Sequence, residues 1–129
     1  MSKDIERKIA VIFVTDVVGF SKMMEKNEYE TLRSFRSCRD ILDNLFEEHG
    51  GRIFNTAGDS VLAEFQSAVS AVICAKEFQK LIRERNANVS EDAVMHFRIG
   101  LNMGDVIVEG ENLYGEGVNV AARLEALSQ

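Results

Sequence analysis

The sequence predicts an α+β domain, with a ferredoxin-like, antiparallel-rich sheet and helices on one face, in the order β-α-α-β-β-α-β-β-α. Three observations predict this class. A continuous apolar run opens the chain, long stretches with three- and four-residue apolar spacing alternate with β-branched segments, and two of those segments contain a glycine-aspartate turn signal. One sheet with helices packed on a single face satisfies that order, since two hairpins require antiparallel pairs.

Length and composition indicate one globular domain. The chain has 129 residues, of which 46% are hydrophobic and 28% charged, so it is neither disordered nor large enough for two cores. Its formal charge of -6 argues against nucleic acid as a polymer partner. The first apolar run, 9–14, is too short for a signal peptide or a membrane span, so we expect a cytoplasmic chain without membrane insertion.

The first half of the chain reads as a buried strand followed by two helices. Residues 8–15, KIAVIFVT, are apolar and β-branched throughout, as in a strand that is covered on both faces. Residues 20–25 form a short helical turn. Asn27 with Glu30 resembles a capping box, and the helix that it opens should end at Gly50.

The second half reads as two hairpins, each followed by a helix. The spans 52–65 and 98–109 alternate like strands, with predicted tips at Gly58-Asp59 and Gly104-Asp105. Ser67 should cap the helix between them, and 118–127 should form the last helix. The lone cysteines, Cys38 and Cys74, lack metal-site spacing and are expected to be reduced thiols that pack as small apolar side chains.

Asp16 is the first candidate functional residue. It directly follows the buried strand, where a carboxylate is unfavourable unless it caps a helix, pairs with a cation or binds a metal. Gly19 permits a tight turn next to it. The backbone amides of Val17, Val18, Gly19 and Phe20 would then point outward, as at a phosphate-binding helix start.

Asp59 is the second candidate, and Asp105 is its natural comparison. Both follow a glycine at a predicted hairpin tip, so turn chemistry alone explains either one. If the first hairpin pairs beside the first strand, Asp59 can face Asp16. Two facing carboxylates repel each other unless a divalent cation lies between them, and Mg²⁺ suits carboxylate and phosphate oxygens together.

Asn119 and Arg123 form the third candidate pair. They are four residues apart in the last predicted helix, so they share one of its faces. An arginine on a terminal helix is usually just solvated. Its planar fork nevertheless suits phosphate, because it donates two hydrogen bonds at once.

These signals together resemble the class III nucleotidyl cyclase catalytic domain. The resemblance lies in IFVTDVVGFS at 12–21, GGRIFNTAGDSVLAEF at 50–65, RIGLNMGDVIVEG at 98–110 and NLYGEGVNVAARLEAL at 112–127. It implies an enzyme that converts a nucleoside triphosphate into a 3′,5′-cyclic monophosphate and pyrophosphate. The domain would span 1–129 and be incomplete at its C-terminal end, because the family domain normally continues past this helix.

The resemblance also implies roles for the candidate residues. Asp16 and Asp59 match the aspartates that hold two Mg²⁺ or Mn²⁺ ions. Asn119 matches the asparagine that orients the ribose, and Arg123 matches the arginine that stabilises charge at the α-phosphate. In this family the site lies between two subunits, so a homodimer or a heterodimer with another cyclase domain is expected.

Two positions depart from the pattern of adenylyl cyclases. Asn55 stands where that pattern has a base-reading lysine, and Asn112 where it has an aspartate. An asparagine amide both donates and accepts, so these residues could read adenine, guanine or neither strongly. We expect ATP to be favoured over GTP. Two alternatives stay open: a weak or inactive cyclase-like domain that binds nucleotide or a partner domain, and an interaction domain without chemistry.

Overall fold

The computed structural model describes residues 5–127, so both ends of the predicted domain 1–129 lie outside the described residues. It contains one antiparallel sheet with the strand order β2-β3-β1-β4-β5. The strands are β1 (Glu6–Val17), β2 (Gly51–Ala57), β3 (Ser60–Phe65), β4 (Phe97–Glu109) and β5 (Asn112–Tyr114). The predicted α+β class and the antiparallel sheet are confirmed.

The helices begin and end close to where the capping signals predict. They are α1 (Phe20–Lys26), α2 (Glu28–His49), α3 (Ala68–Asn86) and α4 (Glu116–Leu127), with a 3₁₀ turn at Glu91–Ala93. The Asn27 side chain accepts a hydrogen bond from the Glu30 amide at 3.1 Å, and Ser67 accepts one from Ser70 at 3.2 Å. Within residues 5–127, the helices are all too short or too polar to cross a membrane.

Strand β1 divides the core into two clusters. Because successive side chains of a strand point to opposite faces, alternate residues of β1 join different helices. One face packs against α2 and α3, and the other packs against α4. The residues of β1 in the first cluster are Val11, Phe13 and Val17, and those in the second are Ala10, Ile12 and Val14.

The position of α4 differs from the expectation of helices on one face. An apolar residue at almost every position of β1 requires cover on both sides of the sheet, and α4 supplies it on the second side through Val118 and Ala121. This placement matters for the site, because it brings α4 across β1 and β4.

The predicted position of the turn in the second hairpin is also wrong. Gly104 and Asp105 lie inside the single long strand β4, where they pair with Ala10 and Ile9. The chain turns later, at Gly110, whose φ of 62° is the left-handed conformation that favours glycine. The close approach of α4 to this part of β4 is at Gly117, where a Cβ would collide with the carbonyl group of Asp105, whereas a Cβ on Gly104 would lie an ordinary 3.5 Å from the Cα of Gly117.

The two cysteines behave as the composition predicts. Cys38 and Cys74 are both free and buried in the cluster under α2 and α3. Burial raises the pKa of the Cys74 thiol to about 12, and the negative charge of Glu48 adds to the shift. The thiol therefore stays protonated at neutral pH and packs as an apolar group.

Candidate active site

The sheet brings Asp16 and Asp59 to one cavity. Strand β3 pairs with β1 up to the Thr15–Val61 pair, so the turn between β2 and β3 lies beside the end of β1. The Val17 amide donates a hydrogen bond of 2.8 Å to Oδ2 of Asp59. Both aspartates line a cavity of about 370 Å³. Two carboxylates from distant parts of the chain thus face the same space.

Asp105, the other aspartate after a glycine, lies elsewhere. It is in the middle of β4, more than half exposed, and its carboxylate is 3.7 Å from the guanidinium of Arg7. Strand pairing, and not turn chemistry, therefore distinguishes Asp59 from Asp105.

Arg98 is the direct partner of Asp16. The two residues are opposite each other in the β1–β4 pairing. Nε of Arg98 donates to Oδ1 of Asp16 and Nη2 donates to Oδ2, both at 3.1 Å, which is the two-pronged geometry that arginine favours with carboxylates. This hydrogen bonding, with the charges of Asp16, Glu125 and Asp59, raises the pKa of Arg98, whereas desolvation opposes the shift.

Glu125 is the second acidic neighbour of Arg98. It projects from α4 with a side chain that is only 7% exposed, and its Oε2 lies 3.2 Å from Nε of Arg98. Burial, followed by the hydrogen bond and charge of Asp16, raises the pKa of Glu125 to about 8, although the charge of Arg98 opposes the shift. Burial beside another carboxylate therefore favours the neutral form of the Glu125 carboxyl group when no cation is bound.

A glycine in β4 allows Glu125 to come so close. A Cβ on Gly100 would collide with the carbonyl oxygen of Ala121 and the amide of Glu125, and would lie 2.7 Å from the Cα of Glu125. The backbone of α4 thus rests directly on β4. Any larger residue at position 100 would move Glu125 away from Arg98.

Sequence reasoning did not identify Arg98 or Glu125. The pairing that joins Arg98 to Asp16 spans 82 residues and follows only from the strand register. Glu125 could have been found, because it lies seven residues after Val118 and four after Ala121, on the apolar stripe of α4. A carboxylate on a buried stripe signals a buried partner.

The prediction of outward-pointing backbone amides at the end of β1 and in the loop after it holds only in part. The amide of Val17 binds Asp59, and the amide of Val18 donates to the carbonyl of His96 at 2.8 Å. The prediction that these two amides point outward is wrong, because pairing with neighbouring segments already uses them. Gly19, with a φ of 68°, and Phe20 line the cavity with the aspartates.

Asn119 and Arg123 share an exposed face of α4, outside this cavity. The side chain of Arg123 is 65% exposed, and its Nη2 donates to Oε2 of Glu116 at 3.1 Å. Asn119 is also exposed. The structure therefore places the two acidic candidates and these two candidates on separate surfaces of one chain.

Asn55 and Asn112 lie on the two edge strands of the sheet. Asn55 is exposed on β2, next to an irregularity in the pairing with β3. Asn112 begins β5, where its side chain accepts from the Leu113 amide at 2.8 Å and donates to the Tyr114 hydroxyl at 3.2 Å. The sheet curls enough for Nη1 of Arg52 on β2 to donate to the carbonyl of Glu111, 2.8 Å away in the β4–β5 turn.

The oxygen ligands at the cavity suit a hard divalent cation. Asp16 and Asp59 each offer carboxylate oxygens, the ligands that Mg²⁺ and Mn²⁺ prefer. Among residues 5–127, no three His, Cys, Asp or Glu side chains are grouped as a complete protein metal site. An ion bound here would complete its shell with water and with phosphate oxygens of a ligand, as Mg²⁺ commonly does.

The comparisons with known proteins agree on one family. A family model that describes the adenylate and guanylate cyclase catalytic domain matches residues 1–129. A protein named "Putative adenylate cyclase 3", from Rhizobium meliloti (strain 1021), is 43% identical to this chain over 130 residues. That match covers 99% of this chain but only 22% of the relative, so the chain spans less than a quarter of it.

Solved structures show the same fold. The crystal structure of an adenylate/guanylate cyclase/hydrolase from Silicibacter pomeroyi has a TM-score of 0.87 and 38% identity, over 98% of this chain and 74% of that one. The crystal structure of the guanylyl cyclase Cya2 has a TM-score of 0.84 and 26% identity, over 100% of this chain and 74% of that one. This chain belongs to the adenylate and guanylate cyclase catalytic domain family.

Proposed function

We propose that this chain is the catalytic domain of a cytoplasmic nucleotidyl cyclase that converts ATP, in preference to GTP, into the 3′,5′-cyclic monophosphate and pyrophosphate. We take the domain to occupy 1–129 of this sequence. The observation that supports this most strongly is the shared cavity of Asp16 and Asp59, with Asp59 fixed by the Val17 amide at 2.8 Å.

The residues at the cavity would hold and orient the triphosphate. Asp16 and Asp59 would bind two Mg²⁺ or Mn²⁺ ions, which supply a more acidic ribose 3′-hydroxyl and neutralise phosphate charge. Gly19 and Phe20 would add backbone contacts to the phosphates, whereas the amides of Val17 and Val18 are already occupied. The contribution of the protein is thus positioning and charge neutralisation.

The remaining candidates support a site that is shared between two subunits. Asn119 and Arg123 are exposed on α4, outside the cavity of the aspartates. In a dimer they would reach the cavity of the other subunit, where Asn119 orients the ribose and Arg123 stabilises charge at the α-phosphate. The contact between Arg123 and Glu116 is an exposed ion pair, which is weak enough to be exchanged for a phosphate.

The preference for ATP depends on Asn55 and Asn112. Both amides can pair with adenine through one donor and one acceptor. Asn55 is exposed and could turn toward a base, whereas Asn112 would have to exchange its bonds to the Tyr114 hydroxyl and the Leu113 amide for bonds to the base. Because neither carries a charge, we expect discrimination against GTP to be modest, on the order of 1.5 kcal/mol or less.

The test is an assay of cyclic product with Mn²⁺ and either ATP or GTP, on a preparation shown to be dimeric. We expect cyclic AMP as the main product, and its loss in Asp59→Asn. Asp105→Asn is the matched control, because it changes the other glycine-aspartate pair at an exposed position far along β4. No product from either nucleotide would refute the proposal, and nucleotide binding without turnover would favour a non-catalytic binding domain.

A mixing experiment tests the shared site. Asp59→Asn and Arg123→Ala should each be inactive alone. Random pairing makes about half of the dimers mixed, and in a mixed dimer one of the two sites has neither substitution. Mixing should therefore restore about a quarter of the wild-type activity. Failure to recover activity, with mixed dimers demonstrated, would contradict the two-subunit arrangement.

A further inference from the structure

Arg98 is hydrogen-bonded to the carboxylate of Asp16, which the proposed metal site needs as a ligand. Its guanidinium contacts both oxygens of Asp16, each at 3.1 Å. The Asp16 side chain is only 17% exposed, so little water screens this pair. A divalent cation that binds Asp16 therefore meets a positive charge within hydrogen-bonding distance of the same oxygens.

Glu125 offers the same guanidinium a second acceptor. Its Oε2 is 3.2 Å from Nε of Arg98, whose single proton is directed to Oδ1 of Asp16 in this structure. Glu125 is fixed in place, because α4 rests on β4 at Gly100. A guanidinium displaced from Asp16 therefore already has the carboxyl group of Glu125 beside it.

We propose that Arg98 is an internal substitute for the cation, and that metal binding at Asp16 and Asp59 transfers its guanidinium from Asp16 to Glu125. This inference rests on the proposed function, since it assumes that the aspartates bind a cation. Three carboxylates, those of Asp16, Asp59 and Glu125, act on the single guanidinium. In the metal-free protein Arg98 keeps the acidic residues together, and Glu125 is the positioning residue that receives Arg98 when a cation arrives.

The first test measures the Kd of Mn²⁺ without nucleotide, by electron paramagnetic resonance of the free ion. A charge at 4–6 Å alters proton affinity by one to three powers of ten, so Arg98→Gln should tighten Mn²⁺ binding by about tenfold or more. Arg39→Gln is the matched control. It removes the same charge from the surface pair of Arg39 with Asp43 on α2, and should leave the Kd within about twofold.

A double-mutant cycle tests the role of Glu125. Glu125→Gln should weaken Mn²⁺ binding in the wild type, because α4 then offers no carboxyl group to receive the guanidinium that the cation displaces from Asp16. The same substitution should have a smaller effect when Arg98 is already glutamine. Equal effects in both backgrounds would show that Glu125 does not act through Arg98. Arg98→Lys, which keeps the charge but cannot form the fork, should give an intermediate Kd and guards against misfolding of Arg98→Gln.

The second test follows Arg98 itself in the unmodified chain. With ¹⁵N-labelled arginine, the Nε resonance of Arg98 should shift as Mg²⁺ is added and saturate at the same concentration as metal binding. Arg52 is the internal control, since its pair with Glu64, at 2.9 Å, lies outside the cavity and should not respond.

The outcomes separate the two proposals. Mn²⁺ binding that Asp59→Asn abolishes, with an unmoved Arg98 resonance and an Arg98→Gln Kd within twofold of the wild type, would overturn this inference and leave the proposed metal site standing. A wild type that binds no Mn²⁺ with or without nucleotide would overturn both. Tighter binding in Arg98→Gln together with a shifting resonance would support the transfer.

Discussion

Replacing Gly100 by alanine should push α4 off the sheet. The new Cβ would lie 2.7 Å from the Cα of Glu125, whereas ordinary contacts begin at 3.4 Å, and it would also collide with backbone atoms of Ala121 and Glu125. Backbone cannot rotate away as a side chain can, so the helix must retreat by about 0.7 Å or more. Overpacking of this kind costs about 1–3 kcal/mol of folding free energy.

The same shift should impair catalysis more than stability. Glu125 would lose its contact with Arg98, now 3.2 Å, and Asn119 and Arg123 would move with the helix. A misplacement near 1 Å can lower a rate by about 100-fold. We therefore expect Gly100→Ala to fold with reduced stability and to lose roughly that factor in cyclase activity.

Urea unfolding and a cyclase assay measure the two effects separately. Gly104→Ala is the matched control on the same strand, since its Cβ meets no backbone atom closer than 3.5 Å; it needs only a shift of a few tenths of an ångström in the Asn102 side-chain nitrogen, which lies 3.1 Å away and donates to the Gly117 carbonyl. That variant should remain within about 0.5 kcal/mol of the wild type. Equal stability and activity in the two variants would refute the close packing of α4 on Gly100.

Three further outcomes are expected. Glu64→Gln should lower stability by about 1–2 kcal/mol, because Glu64 is buried between half-exposed Lys8 and Arg52. Burial alone would raise the pKa of Glu64, but the hydrogen bonds and charges of Lys8 and Arg52 hold that pKa below 4.5. The stability that Glu64 contributes is therefore complete above pH 4.5 and is lost as the pH falls through the lower pKa of the folded state. Measuring the urea midpoint at a series of acidic pH values would show this loss. Phe13→Ala should cost about 3–5 kcal/mol in the same unfolding experiment, since the ring is fully buried and packs edge-on against Phe46 at 5.2 Å. Chelation with EDTA should abolish cyclase activity but change the Tm little, because apolar side chains form both core clusters and Arg98 pairs with Asp16 when no cation is bound; a Tm that falls by several degrees would contradict this.

Local sequence signals predicted the elements because their causes are local. The apolar run of β1 and the caps at Asn27 and Ser67 act within a few residues, and the structure shows the hydrogen bonds of both caps. The prediction of a turn at Gly104 was wrong for an equally physical reason. A glycine-aspartate pair is compatible with a turn or with a continuous strand, and only the pairing of Gly104 with Ala10 shows that β4 continues through it.

The site could be predicted only in part. Local signals made Asp16 and Asp59 candidates, the resemblance implied their metal-binding roles, and the pairing of β3 with β1 brings them to one cavity. Arg98 required the register of β4 against β1, which no local pattern contains. Glu125 required the knowledge that its face of α4 is buried, because the same helix carries exposed Arg123 only two residues earlier.

The central claim is that Asp16 and Asp59 hold a divalent cation together with the phosphates of the substrate. The most direct measurement is a crystal structure with Mn²⁺ and a non-cyclisable ATP analogue, using the anomalous signal of manganese. We expect anomalous density within about 2.5 Å of carboxylate oxygens from both aspartates and in contact with phosphate oxygens. Manganese bound elsewhere, or an analogue seated away from this cavity, would contradict the account.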